Sequence, residues 1–173
     1  MTDGQRSSFD ITYKALFPVV FRVAYRVTGD SGLAEDLSHE AFIKYFERTK
    51  PLPDLDQTKY WLIRVVKNIS LNYEKKKSRE RVAYEKLKRV SPKFSEPGDT
   101  ELLRKEAKSA VQIGLSLLPY QLRIVLVLKE YANLNYKEIG SILGIREGNV
   151  KVRVFRAREK LAKILEERTA YVP

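Results

Sequence analysis

Tyr136-Lys137-Glu138-Ile139-Gly140-Ser141-Ile142-Leu143-Gly144-Ile145, and shortly after it Val150-Lys151-Val152-Arg153-Val154-Phe155-Arg156-Ala157-Arg158, have the pattern of two helices joined by a glycine turn. Ile139 and Leu143 stand one helical turn apart, as do Val150 and Val154. With Ile145 between them, these apolar side chains can form a small core that sets the angle between two helices. Gly144 supplies the positive φ a sharp turn often needs, and Gly140 stands where the helices approach most closely. The second helix leaves Lys151, Arg153, Phe155, Arg156, Arg158 and Lys160 off its apolar stripe. This is the pattern of a helix-turn-helix that docks in the DNA major groove. Arginine matches guanine O6 and N7, while other cations hold phosphates and set register. A helical hairpin with a solvated basic face would show any one of these features; their coincidence points to duplex DNA.

The composition agrees with an anionic partner. The 173 residues carry a net charge of +11, and summed positive potential draws polyanions from solution. Residues 1–90 hold 18 Lys/Arg against 12 Asp/Glu and residues 101–173 hold 14 against 8, so the excess is shared rather than confined to a tail. Zero cysteines exclude disulfides and cysteine-ligated metal sites and suit a reducing compartment. No run of 18 apolar residues is present, and Met1 to Ser8 carries no signal-peptide core. These features predict a cytoplasmic protein without membrane insertion.

Working outward, apolar residues recur at helical spacing almost throughout. Phe9, Tyr13, Leu16, Phe17, Val20, Val23, Ala24 and Val27 form one stripe, stopped near Gly29. Leu33, Leu37, Ala41, Phe42, Tyr45 and Phe46 form a second, which Ser31 or Asp30 can cap. Pro51 and Pro53 break the pattern. It resumes at Trp61, Leu62, Val65, Val66 and Ile69 and runs into a basic stretch to Lys88. Ser91 to Thr100 has the prolines, glycine and small polar residues of a linker. Leu102, Leu103, Ala107, Ala110, Val111, Leu115 and Leu118 open a further series, and Pro119 suits the first turn of the helix carrying Leu122, Val125, Leu126 and Leu128. The expectation is an all-α protein of two small helical domains, 9–90 and 101–168, joined by a linker at 91–100.

Two N-terminal stretches narrow the reading. Ala34-Glu35-Asp36-Leu37-Ser38-His39-Glu40-Ala41-Phe42 combines an apolar face with an acidic-polar one, and Trp61-Leu62-Ile63-Arg64-Val65-Val66-Lys67-Asn68-Ile69 leads into Asn72, Tyr73 and Lys75 to Arg81. Here the chain resembles a bacterial RNA polymerase sigma factor of the extracytoplasmic-function (ECF) group of the sigma-70 family. Residues 34–42 match the family's Ala-Glu-Asp-Leu-x-Gln-Glu-x-Phe motif of region 2.2, with His39 where Gln is usual. Residues 61–68 match its Trp-Leu-x-Arg-Ile-Ala-x-Asn pattern, with Val65 and Val66 as departures. The C-terminal stretch resembles region 4 through Leu118-Pro119, Glu138-Ile139, Gly144-Ile145, Val150-Lys151-x-Arg153 and Arg156-Ala157-Arg158. Gly140, Arg146, Asn149 and Val152 replace the usual Ala, Ser, Thr and Ser. Arg146 thereby removes a helix N-cap, and Val152 a hydroxyl that could contact DNA.

The resemblance implies a subunit that binds core RNA polymerase, directs it to promoters and helps open the duplex. Asp36, Ser38, His39, Glu40 and Lys44 match the polar positions that dock on the clamp helices of the largest polymerase subunit, and the family also engages the flap region. Tyr60, Arg64, Lys67, Asn68, Asn72, Lys75 and Lys76 would meet the -10 element and its melted non-template strand, with Lys77 on phosphate. The preceding segment, Thr49 to Lys59, corresponds to the one that captures a flipped base. Trp61, one turn from Val65, is expected in the core, which leaves Tyr60 as the freer stacking candidate. Lys151, Arg153, Phe155, Arg156 and Arg158 would read the -35 element as duplex, Arg158 on backbone or paired with Glu138 or another helix residue. An anti-sigma factor is a further partner the resemblance implies.

A dimeric helix-turn-helix repressor would need a dimerisation surface or effector pocket in residues 9–88, which instead carry a long cationic helix. No glycine-rich phosphate loop, paired-carboxylate metal motif or nucleophile–His arrangement supports an enzyme. No cofactor is expected. His39, the only histidine, lacks the company a metal or catalytic site requires.

Overall fold

The computed structural model describes residues 2–88 and 109–170, and among them every regular element is an α-helix. The expected linker, and the stripe positions Leu102, Leu103 and Ala107, lie outside the described residues. Helix α1 (Asp3–Thr28) closes at Gly29, whose φ of 70° lets its amide reach back to the Tyr25 carbonyl at 2.7 Å. Pro18 lies inside α1 without ending it. The proline is exposed, on the side where water can serve the carbonyl left without its usual partner. Helix α2 (Ser31–Phe46) is capped by Asp30 rather than Ser31: the Asp30 carboxylate accepts from the Leu33 amide at 3.0 Å.

Helix α3 (Leu55–Lys88) starts directly after the two prolines, where the Asp54 carboxylate accepts from the Gln57 amide at 2.7 Å. The segment expected to serve as a loop to Lys59 is therefore already helical from Leu55. Leu16, Val20 and Val23 of α1, Ala41 and Phe42 of α2, and Leu62, Ile63 and Val66 of α3 bury almost completely. Ile63 joins them because α3 packs on both α1 and α2, which widens its buried face beyond one stripe. From Lys75 to Leu87 α3 runs exposed. Its 34 residues make it about 50 Å long.

The C-terminal half holds α4 (Ala110–Leu117), α5 (Tyr120–Glu130), α6 (Tyr136–Leu143) and α7 (Glu147–Ala170). Pro119 sits at the cap position just ahead of α5 rather than within its first turn. Every residue from Arg123 to Leu128 is buried, more than the expected stripe of Leu122, Val125, Leu126 and Leu128. The cause is tertiary: α6 and α7 pack on α5 from its own half, and α1 packs on it from the other.

Arg123 is the centre of that second contact. Its Nη1 donates to the Val27 carbonyl at 2.8 Å and to Glu74 Oε1 at 3.2 Å, across the boundary between halves. Its Nε reaches the Leu115 carbonyl at 2.9 Å, and Nη2 the carbonyls of Leu118 at 2.9 Å and Ser116 at 3.3 Å. A guanidinium can be buried here because its whole donor fork is used. Beside it, Gln112 accepts from Arg26 Nη1 and donates to the Arg26 carbonyl, both at 3.3 Å. The Arg26 guanidinium lies 4.7 Å from the Tyr131 ring centre. Tyr120 donates its hydroxyl to the Lys67 carbonyl at 3.4 Å, and burial pushes its pKa up. The two halves thus meet along a polar seam.

Candidate nucleic-acid interface

The helix-turn-helix is built by two caps and one tight glycine. Asn135 and Glu138 cap each other: the Glu138 amide donates to Asn135 Oδ1 at 2.9 Å, and the Asn135 amide to Glu138 Oε2 at 2.8 Å. Glu138 is thereby engaged in its own cap, and of the pairings expected for Arg158 the one with another helix residue forms, to Glu130 at the end of α5. Gly144 has φ 69°, the left-handed conformation the turn needs. A Cβ on Gly140 would stand 2.7 Å from the Ile145 carbonyl oxygen, so the closest approach is to backbone. Ile139, Val150 and Val154 are buried as expected. Ile142 joins them fully buried, while Leu143 and Ile145 are half-buried and pack against the same core.

Helix α7 begins after Arg146, whose carbonyl accepts from the amides of Asn149 at 3.0 Å and Val150 at 3.1 Å. Glu147 in the first turn faces the positive end of the helix dipole and pairs with Lys151 at 3.6 Å. Val150, Val154 and Ala157 form the buried stripe. Phe155 and Arg156 are exposed on the other side, and Val152 with them, while Arg153 is half-buried. Lys151 lies at the edge, its ammonium 5.8 Å from the Tyr136 ring centre. Of the five residues expected to meet the -35 element, Lys151, Phe155, Arg156 and Arg158 are exposed, Lys151 and Arg158 being paired with Glu147 and Glu130. Val152, which the sequence reading treated only as a lost hydroxyl, is on this face.

On α3, Tyr60, Arg64, Asn68, Asn72 and Lys76 recur at four-residue spacing, a row in which successive members are neighbours but which winds about 40° round the helix at each step, leaving Tyr60 and Lys76 on nearly opposite sides. Arg64, Asn68, Asn72, Lys75 and Lys76 are exposed. Lys67 is half-buried; its ammonium donates to Asn68 Oδ1 at 3.2 Å, and burial first, then Arg64 and Lys75, lower its pKa. Tyr60 is half-buried and packs against the core, as Trp61 does, so burial does not separate the two aromatics. Trp61 is also half-buried, with the Arg48 guanidinium 4.8 Å from its ring centre. A cavity of about 400 Å³ opens beside the 47–54 loop, lined by Phe9, Tyr45 and Phe46 together with Arg48, Thr49 and Lys50.

On α2, Asp36, His39 and Lys44 are exposed and Glu40 is half-buried, pairing with Lys44 at 3.8 Å. His39 Nε2 lies 3.2 Å from the Tyr13 hydroxyl. Ser38 departs from the expected docking set. It has no exposed surface, and its hydroxyl donates to the Ala34 carbonyl at 2.6 Å, so it packs α2 against its neighbours rather than meeting a partner. Phe46, expected in the apolar stripe of α2, is 51% exposed, and Ile43, which lies off that stripe, is 56% exposed. Among the described residues no helix is long and apolar enough to cross a membrane.

Comparison with known proteins matches residues 12–80 to sigma-70 region 2 and residues 114–161 to sigma-70 region 4. The chain is 30% identical to the ECF RNA polymerase sigma factor SigM of Bacillus subtilis, over 89% of this chain and 93% of that protein. It is 31% identical to SigW of the same organism, over 86% and 83% respectively. It is 30% identical to SigE of Mycolicibacterium smegmatis, over 87% of this chain but only 59% of that relative. Among solved structures, the sigma factor RpoE in complex with the anti-sigma factor NepR from Bartonella quintana shares the fold. Its TM-score is 0.66 at 21% identity, covering 92% of this chain and 97% of that one.

Proposed function

Because the chain belongs to the ECF RNA polymerase sigma factors, we propose that its exposed faces divide the sigma factor's work among them. A sigma factor is not an enzyme; it binds core RNA polymerase and directs it to promoters. The domain of residues 9–90 would hold the polymerase through Asp36, His39, Glu40 and Lys44 on α2. Helix α3 would lie on the -10 element through Arg64, Lys67, Asn68, Asn72, Lys75 and Lys76. The domain of residues 101–168 would place α7 in the major groove of the -35 element through Lys151, Arg153, Phe155 and Arg156. Arg158 would support α7 from behind through Glu130. The single observation that carries this division is the face of α7 opposite Val150, Val154 and Ala157, which is exposed and bears Arg156 beside Phe155.

Melting follows from capture of single-stranded bases. Unstacking a base costs a few kcal/mol, and a pocket for the extruded base offsets that cost. The aromatic and cationic cavity beside residues 47–54 has the chemistry for it, since every base has a face that stacks. Elements centred about 25 base pairs apart lie about 85 Å apart along B-DNA. Even α3, the longest helix, spans only about 50 Å, so reading both elements at once calls for the seam at Arg123 and Tyr120 to open. Once both halves are held on one polymerase, two weak contacts gain from effective concentration. The protein would act in the cytoplasm, with the polymerase. An anti-sigma factor, the kind of partner present in the RpoE–NepR complex, is the regulator we extend to this chain.

The test is reconstituted transcription: core polymerase with and without this protein, followed by mapping of RNA 5′ ends. Initiation at sites sharing -10 and -35 sequences is expected. Absence of promoter-specific starts, with tight binding of the free protein to a palindrome, would replace this reading with a repressor.

A further inference from the structure

Resting on the reading of α7 as the -35 helix, we propose that Val152 is a specificity-determining residue that recognises the 5-methyl group of a thymine, with Phe155 beside it on the same groove edge. Successive residues of an α-helix are turned by about 100°. The buried stripe of Val150, Val154 and Ala157 therefore has Val152 almost directly opposite its centre. Val152 is 46% exposed and Phe155, three residues on, is 69% exposed. Arg156 follows Val152 by one turn on the same line. Gly148 precedes it by one turn, and a Cβ there would meet nothing within 4 Å. The open line of the helix thus reads as bare backbone, then an isopropyl group, then a guanidinium. With no side chain at 148, the first turn can come close to DNA and carry Val152 to the base edges, where the N-terminal residues of recognition helices make contact.

The chemistry of the major groove leaves Val152 one attractive target. Base edges there present donors and acceptors, except for the C5-methyl of thymine. An isopropyl group against a donor or acceptor would strip its water without replacing the hydrogen bond; against a methyl it buries apolar surface on both sides. The cations around it, Lys151, Arg153 and Arg156, favour a polyanion as the occupant of this face over an apolar protein surface.

The test uses the full chain in holoenzyme with core polymerase, selecting from duplexes with a randomised -35 region. Each thymine in the recovered sequence is then replaced by deoxyuridine, which removes only the 5-methyl group, and affinity is measured by competition. At one thymine the expected loss is about fourfold, the size of one buried methyl. In Val152→Ala, an exposed substitution that leaves the helix intact, thymine and deoxyuridine duplexes should bind alike, and Val152→Ser should lose the thymine in a repeat selection. Deoxyuridine tolerated at every position, or a penalty undiminished in Val152→Ala, overturns the proposal while leaving the -35 reading in place. Failure of a holoenzyme that forms normally to enrich any -35 sequence overturns both.

Discussion

Helices α3 and α7 both carry cations along an exposed face, yet the rest of the molecule holds them differently. On α3, the Lys67 carbonyl receives the Tyr120 hydroxyl and the Glu74 carboxylate receives Arg123, so the opposite half of the chain grips the helix proposed for the -10 element. On α7, the buried stripe and the Glu130–Arg158 pair both lie within its own half, and the face around Val152 and Arg156 is open. The contrast shows that two cationic helices of similar composition can differ in availability. The face proposed for the -35 element is complete within one half, whereas the helix proposed for the -10 element is tied to the other half through its backbone and one carboxylate.

The strongest way to break this contrast is Arg123→Ala. It leaves Glu74 and four carbonyls without their buried donor, and the expected loss is about 3–5 kcal/mol. In thermal unfolding that is a fall of roughly 6–20 °C for a chain of this size; a shift under about 2 °C would show the seam to be idle. Gly140→Ala attacks the other side, driving a methyl against the Ile145 carbonyl. A destabilisation of about 1–3 kcal/mol is expected, read as a lower denaturant midpoint, and an unchanged midpoint would mean the turn yields easily. Arg156→Ala should weaken duplex -35 binding about tenfold, within the range for one base-directed arginine, while polymerase binding, followed by gel filtration of holoenzyme, stays intact. Equal loss of both would place Arg156 on the wrong face. Tyr120→Phe removes a single hydrogen bond of the seam and should cost about 1 kcal/mol with no effect on -35 duplex binding. A change in that binding would show that the seam and the α7 face are coupled.

Much of this was legible because it is local. The glycine turn at 144, the prolines ahead of α3 and the helical stripes of α1, α2 and α7 act through neighbours within a few residues, and periodicity exposes them. The four-residue spacing from Arg64 to Lys76 was equally open to reading. Ser38 was misplaced because a polar residue in an acidic-polar stretch looks solvated, while its burial depends on how closely α2 approaches the elements around it. Ile142 and Leu143 are equivalent by spacing from Ile139, and tertiary packing buried the first fully and the second only in part. The seam left no trace: Arg123 is one of 33 Lys/Arg, and nothing nearby in sequence marks it as the buried one.

Apolar period, caps and breakers were thus enough to establish an all-helical chain with a helix-turn-helix behind a region 2-like half, since these signals act over one or two turns. Long-range packing alone chose the acceptors of Arg123, buried α5 on both sides and set Val152 at the centre of an open face. Those outcomes depend on how helices distant in sequence cross, and the cost of desolvating a guanidinium, or the benefit of exposing a valine to a groove, exists only after they have done so.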